Sequence, residues 1–494
     1  MSGIFGVVSK GDCVRDLLYG TDYHSHLGTE YGGIAVLGKD GFSRQIHNIG
    51  QSQFKSKFFD DSRRMAGNMG IGVISALSEQ PMYLNSKLGP FCIVTNGLIE
   101  NADTLARGLL KKGVSFSEVS KAPVNETELV AKLIVEGDDF VDGIEKMFAL
   151  IEGSCSLLLL TAEGVYAARD RLGYTPLIIG SRKDAWAVTS ETAAFPNNGF
   201  EVKKYLGPGE IVLIGPGGVK PRKAAGPVSQ ICTFLWIYTG FPASDYEGVN
   251  TEKVRERCGA FLAMRDKDIG VDMASGVPDS GVGHAIGYAM ESGKPYRRPL
   301  VKYTPGYGRS YTPPSQETRD LIATMKLIPI KEIIEGKRIV VCEDSIVRGT
   351  QLKNFAIKKL WNAGASEIHV RPACPPLMFP CKFNLSTRSI HELAARKAIK
   401  SIEGRDVEDV SEYVDDRSAK YAKMVDWIAK DLGVTTLRYQ KVDDMVKAIG
   451  LPKERLCLYC WTGRCPKSGA GCGKREERTA MRHGATRAAR SAVK

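Results

Sequence analysis

The chain has 494 residues, 43% of them hydrophobic and 25% charged, which excludes a disordered or fibrous protein and calls for two or more domains. Its formal charge of +12 would suggest a nucleic-acid partner, but residues 464–494, with nine Lys or Arg against two Glu, carry seven of those twelve charges. The basicity is thus mainly that of a Gly-, Ala- and Arg-rich tail, expected to be disordered, and argues against nucleic acid as the partner of the body. No apolar run approaches the roughly 18–20 residues of a membrane span. The opening Met1-Ser2-Gly3-Ile4-Phe5-Gly6 lacks the basic flank and long apolar stretch of a signal peptide, so a cytoplasmic protein without a membrane partner is expected. In that reducing compartment the twelve cysteines are not expected to form disulfides.

In chain order, the first 225 or so residues read as short strands with turn punctuation. Ile4–Val8, Ile34–Leu37, Ile71–Ser75, Phe91–Val94, Ser156–Leu160, Ala185–Val188 and Ile211–Ile214 are apolar or β-branched runs bounded by Gly, Asn or Pro. Helical spacing appears between them, as in Thr127–Val135, so an α+β sandwich is predicted. From about residue 250 the rhythm changes. A helix over Glu252–Met264 precedes a strand at Val271–Ser275, then a glycine-rich turn and helix over Gly281–Glu291. Leu300–Tyr303, Arg338–Cys342, a helix near Leu352–Ala363, and Glu367–Arg371 follow. Strands alternating with helices predict βαβ units and a largely parallel sheet. The charged, helical stretch 404–430 reads as an insertion or late accessory element, and Cys457-Leu-Tyr-Cys460, followed by Cys465 and Cys472, reads as metal or cluster ligands.

Chemistry is concentrated in Arg338-Ile-Val-Val-Cys-Glu343-Asp344-Ser345-Ile-Val-Arg348-Gly349-Thr350. An apolar strand ends in two carboxylates, then a Ser/Gly/Thr loop, then a helix. Ligands of parallel sheets bind beyond the carboxyl ends of the strands. The loop N–H groups and helix N-terminus suit an anion such as a 5-phosphate. The two carboxylates suit vicinal ribose hydroxyls and a divalent metal.

This segment resembles the signature of type I phosphoribosyltransferases, and its Asp344–Thr350 core resembles that of the glutamine phosphoribosylpyrophosphate (PRPP) amidotransferase family, with Glu343-Asp344 where that family has Asp-Asp. Gly276-Val-Pro278-Asp279-Ser280 resembles the family's pyrophosphate loop. The resemblance implies an α/β phosphoribosyltransferase domain over 231–463, Mg²⁺ held by Ser280, Glu343 and Asp344, and PRPP bound by Pro278, Asp279, Ser280, Glu343, Asp344, Ser345, Arg348, Gly349 and Thr350. It also implies a closing hood over Tyr303–Lys326, in which Arg309 and Lys326 would activate PRPP. That hood departs from the family pattern at Tyr303-Thr-Pro-Gly306.

Ser2-Gly-Ile-Phe-Gly resembles the start of class II glutamine amidotransferases, which implies an N-terminal-nucleophile αββα sandwich over 2–230 followed by a tail at 464–494. Here Ser2 replaces the nucleophilic Cys of the family. His26-Leu27-Gly28-Thr29 and Val73-Ile74-Ser75-Ala76-Leu77-Ser78 lack the family's arginines, and Ser75 cannot replace a bidentate arginine. Glu126, in Asn125-Glu126-Thr127-Glu128, stands where the family has Asp. Only Asn96-Gly97, the oxyanion pair, matches clearly. An inactive glutaminase-like domain is expected. The resemblance further places a [4Fe–4S] cluster on Cys232, Cys381, Cys457 and Cys460, zinc being the alternative. It implies an enzyme that transfers ammonia to C1 of PRPP, giving 5-phosphoribosylamine and pyrophosphate as in purine synthesis. The ammonia would come from solution or a separate supplying protein, and the chain would form a homo-oligomer. The alternatives are a phosphoribosyltransferase with another amine as acceptor and a non-catalytic PRPP- or nucleotide-sensing partner of an intact amidotransferase.

Overall fold

A computed structural model describes residues 2–118, 124–303, 327–384 and 389–464. Its N-terminal part is two antiparallel sheets stacked face to face. One runs in the order Glu201–Tyr205, Ile178–Arg182, Ala185–Thr189, Gly3–Ser9, Met69–Ser75, Tyr31–Gly38, Gly41–Asn48. The other runs Gly218–Lys223, Ile211–Gly215, Gly164–Ala168, Gly153–Thr161, Gly89–Ile99, Met82–Ser86. Alternation along each strand decides which layer a side chain enters. In Gly3–Ser9, Ile4 and Val8 join the apolar layer between the sheets, with Val73, Val94 and Leu158. Phe5 and Val7 face the other way, with Leu17, Phe54 and Phe58 of the helices Val14–Asp22 and Phe54–Ser62. The second sheet is covered in turn by Ala102–Lys111, Glu126–Val135 and Phe140–Leu150. This is the αββα sandwich expected above.

The C-terminal part centres on a parallel sheet ordered Met273–Gly276, Arg338–Glu343, Glu367–Pro372, Thr436–Leu437. Ile339 and Val341 point to one face and Val340 and Cys342 to the other, so both faces are buried, as a parallel sheet requires. The helices Thr251–Met264 and Val282–Ser292 cover one face. The other is covered by a helical run from Leu352 to Asn362 together with Ala394–Glu403 and Ala419–Leu432.

Two expectations change. Leu300–Lys302 does not join the parallel sheet; it pairs antiparallel with Leu327–Pro329 in a separate ribbon. The 404–430 stretch is not a mere accessory, because Met424, Val425, Ile428 and Leu432 of Ala419–Leu432 are buried in the sheet's main core. Its charged residues occupy the solvent face of an amphipathic helix capped by Ser418, whose hydroxyl accepts from Tyr421 N–H.

The two parts are joined by specific contacts. Tyr174 stacks on Phe383 with ring centroids 3.8 Å apart. Buried Arg169 pairs with Glu247 at 2.7 Å. Ile231–Cys232 pairs in parallel with Leu456–Cys457, returning the C-terminal segment to the start of the second part.

Candidate functional site

Two loops meet at the carboxyl ends of the neighbouring parallel strands Met273–Gly276 and Arg338–Glu343. The first, Gly276–Gly281, is wound too tightly for side chains at its ends. A Cβ on Gly276 would sit 2.4 Å from the Gly281 carbonyl oxygen, and one on Gly281 would sit 2.4 Å from that of Cys342. The Pro278–Asp279 peptide bond is cis. Asp279 is exposed and paired with Lys302 at 2.6 Å. Ser280 reaches across to the second loop, where its hydroxyl donates to Glu343 Oε1 at 3.3 Å.

In that second loop Asp344 N–H donates to the same Glu343 oxygen at 3.1 Å, and the Ser345 hydroxyl donates to Asp344 Oδ1. Burial, followed by the Asp344 carboxylate, pushes the Glu343 carboxyl well above the ordinary carboxylate range. Gly349 adopts φ 78°, which turns the chain into the helical run at Leu352. Arg348 is exposed and bound to Glu392 at 2.6 Å, and Thr350 is exposed at the start of the helix. Ser280, Glu343, Asp344 and Ser345 are therefore brought together, and Pro278, Asp279, Arg348, Gly349 and Thr350 ring them on the two loops. Arg309 and Lys326 lie outside the described residues.

In the N-terminal sandwich, Ser2 opens onto a small cleft, partly open to solvent, with a cavity volume of about 30 Å³, which Ser75, Gly97 and Glu126 also line. Ser2 N–H donates to Asn96 Oδ1 at 3.1 Å, which brings the predicted pair Asn96-Gly97 to the predicted nucleophile position. Gly97 has φ 155°, and a Cβ there would lie 2.0 Å from the Ser154 carbonyl oxygen. Ser75 is buried, its hydroxyl taken up by a local turn that accepts from Leu77 N–H at 3.4 Å and Ser78 N–H at 3.3 Å. Glu126 begins the helix Glu126–Val135, capped by the Asn125 side chain, which accepts from Thr127 and Glu128 N–H. Glu128 is instead buried, holding Ser117 and Glu118 N–H and Lys132. His26, from the altered motif, contacts Glu191 at 2.8 Å, and Tyr246 O–H and Phe241 N–H of the second part donate to the same carboxylate.

Gln80, Thr95, Ser154 and Cys155 also line the cavity, although no sequence signal singles them out. Ser154 and Cys155 arrive there only because their strand pairs Cys155 with Gly97 and Ser154 with Leu98.

The four cysteines converge from three segments. Cys232 is the register partner of Cys457. Cys381 hydrogen-bonds Cys460, and Phe383 and Asn384 N–H point at its sulfur at 3.4 and 3.3 Å. Burial pushes the Cys232 thiol up to about 12 and raises the Cys457 thiol well above its ordinary value, and the hydrogen bond to Cys381 followed by burial raises Cys460. The same hydrogen bond brings Cys381 down to about 7. Among the described residues no group of three or more His, Cys, Asp or Glu side chains is arranged to hold a metal ion. Cys381 and Cys460 hydrogen-bond each other, and the Ser280 hydroxyl and Asp344 N–H donate to Glu343. The donor types nonetheless fit the groups implied, with buried thiols and N–H···S contacts for a cluster and hard oxygens for Mg²⁺.

Comparison with known proteins agrees with both halves. The family described as glutamine amidotransferase domain matches residues 68–197. Over 497 residues the chain is 32% identical to an amidophosphoribosyltransferase from Methanocaldococcus jannaschii, covering 94% of this chain and 98% of that one. It is 30% identical to the amidophosphoribosyltransferase of Bacillus subtilis over 481 residues, covering 94% of each chain. Among solved structures, the glutamine PRPP amidotransferase from B. subtilis complexed with ADP and GMP superposes with a TM-score of 0.80 at 29% identity, covering 94% of this chain and 97% of that one.

Proposed function

The chain belongs to the amidophosphoribosyltransferase family, and on that premise we propose that it transfers nitrogen from free ammonia to C1 of PRPP, releasing pyrophosphate, with its own glutaminase lost. It is a PRPP-dependent glycosyltransferase, and the product would be 5-phosphoribosylamine, as in purine synthesis. The observation that carries this reading is the contrast in charge between the two sites. The Ser280–Glu343–Asp344 cluster keeps its carboxylates at the strand ends, whereas the described lining of the Ser2 cavity contains no Lys, Arg or His to hold a glutamine carboxylate.

In this reading residues 2–230 form the glutaminase-like domain and 231–463 the transferase domain. Glu343 and Asp344 grip the ribose hydroxyls, 345–350 offer N–H groups and the helix start to the 5-phosphate, and Pro278–Ser280 face the pyrophosphate. Departure of pyrophosphate leaves positive charge at C1, and the buried Asp344 carboxylate beside it would favour that charge. Ser280, Glu343 and Asp344 would hold Mg²⁺, which supplies charge neutralisation on the leaving pyrophosphate. Cys232, Cys381, Cys457 and Cys460 would hold a [4Fe–4S] cluster as a structural clamp between the two parts. Arg309 and Lys326 keep their proposed role in PRPP activation.

The test is pyrophosphate release by anaerobically purified protein given PRPP and Mg²⁺, with ammonium or with glutamine as nitrogen source. Turnover with ammonium alone is expected. Equal turnover with glutamine, accompanied by glutamate, overturns the loss of the glutaminase.

A further inference from the structure

The four thiols assigned to the cluster, Cys232, Cys381, Cys457 and Cys460, all belong to the C-terminal part, so none of them ties such a centre to the N-terminal sandwich. Tyr174 of the sandwich reaches them. It is 1% exposed and packs with Phe383, Cys457 and Tyr459, with Cys381 at the edge of the same apolar cluster. Its carbonyl oxygen accepts from Cys232 N–H at 3.4 Å. Its buried hydroxyl has no hydrogen-bond partner among the described residues. Burial, followed by Cys457, Asp170, Cys381 and Cys232, raises the Tyr174 pKa, so the hydroxyl keeps its proton.

Asn384 shows the same anomaly from the other side. Its backbone N–H points at Cys381 Sγ at 3.3 Å. The residue is 5% exposed, yet neither its Nδ2 nor its Oδ1 makes a hydrogen bond of ordinary geometry among the described residues. Burial, the largest effect on the Cys232 thiol, raises its pKa, and the Asn384 side chain beside it acts the other way. Buried polar groups are nearly always paired, and a thiol is a weak acceptor. A metal-bound thiolate is a stronger one, because it carries charge.

We propose that Tyr174 O–H and the Asn384 side-chain N–H are hydrogen-bond donors to the sulfurs of the centre held by Cys232, Cys381, Cys457 and Cys460, and that Tyr174 is the sandwich's hold on it. This rests on the cluster reading above. Such donors draw electron density from sulfur and fix its position, as partners around a metal ligand do.

The experiment loads the full-length protein anaerobically with ferrous iron and sulfide, in H₂O or in D₂O. It compares the wild type with Tyr174→Phe, which keeps the ring on Phe383, and Asn384→Leu, which keeps the volume. Resonance Raman spectra read the Fe–S(Cys) stretching bands. In each variant these bands should move to higher wavenumber and lose part of the wild-type shift in D₂O, because a lost donor strengthens the Fe–S bond. Iron release to a ferrous chelator should quicken by about ten-fold in each. Tyr174→Phe carries the decision if Asn384→Leu does not fold. Bands that coincide with the wild type in both variants overturn the proposal, even where iron release quickens, since looser packing alone would do that. A shift in one variant only overturns the role of the other residue. A wild-type protein that takes up no iron and sulfide overturns the cluster reading and the proposal with it, whereas a loaded protein with unmoved bands overturns the proposal alone.

Discussion

The Ser2 cavity and the Glu343–Thr350 loop are framed by the same device and furnished differently. In each, a glycine brings two backbones closer than any side chain permits: Gly97 against the Ser154 carbonyl, Gly281 against that of Cys342. In the transferase loop the frame presents Glu343, Asp344 and Ser345 to one point. In the sandwich the same kind of frame presents hydroxyls and a single carboxylate, with Ser75 folded into its own turn. Backbone geometry and side-chain chemistry are therefore separable. A frame built by strand pairing is held in place because the core depends on it, whereas the side chains it presents can differ in chemistry.

The sharpest way to break this comparison is to remove charge from the furnished site. Asp344→Asn keeps shape and volume but deletes a carboxylate that the proposed function sets beside C1. Pyrophosphate release at saturating ammonium should fall by about 10²–10³-fold, measured as kcat/KM for PRPP. A loss below ten-fold would remove the proposed role of Asp344, and with it the contrast drawn between the two sites.

A smaller effect is expected from acid on the sandwich itself. His24 is fully buried against Gly3, the neighbour of Ser2, with its Nδ1 2.9 Å from the Gly20 carbonyl oxygen and its Nε2 2.9 Å from the Thr189 hydroxyl. Burial lowers its pKa from 6.5 to about 4, opposed by Glu191 and reinforced by His26. The folded state thus keeps His24 neutral where the unfolded chain would protonate it. Stability from this group is intact above pH 6.5, declines as pH falls, and levels off below about 4, a loss of about 3 kcal/mol. Urea unfolding across that window should show the decline in the wild-type protein and a flatter curve in His24→Gln.

What could be read from the chain follows the range of the interactions concerned. The apolar run Ile4–Val8 and the Gly/Ser/Thr loop after Glu343 are local patterns, and they appear where expected. Leu300–Lys302 went astray because an isolated apolar run does not reveal its partner; Leu327–Pro329, more than twenty residues on, decides its sheet. Ala419–Leu432 looked peripheral because its charges outnumber its buried residues, yet Met424, Ile428 and Leu432 complete the core at helical spacing. The register of Cys232 with Cys457 spans most of the C-terminal part, and no spacing rule reaches that far. Ser154 and Cys155 enter the Ser2 cavity through pairing with the strand of Gly97, which is likewise invisible to local pattern.

Ser154 offers the finest test of how independent the two regions are. Its hydroxyl donates to the Phe383 carbonyl oxygen at 2.6 Å, fully buried, and Phe383 N–H in turn points at the sulfur of Cys381. One residue therefore touches the wall of the Ser2 cavity and the segment that carries the Cys381 thiol. Ser154→Ala leaves that carbonyl without its donor in a dry place, at a cost of about 1–2 kcal/mol. If the regions are coupled through this bond, the variant lowers the thermal midpoint of the whole chain and raises the solvent reactivity of Cys381 toward a thiol reagent in the metal-free protein. If they are merely adjacent, the midpoint falls by the same small amount while Cys381 reactivity stays at the wild-type value. The Tyr174–Phe383 stack at 3.8 Å is unchanged in either case, so a rise in reactivity would trace to the lost hydrogen bond rather than to a lost contact surface.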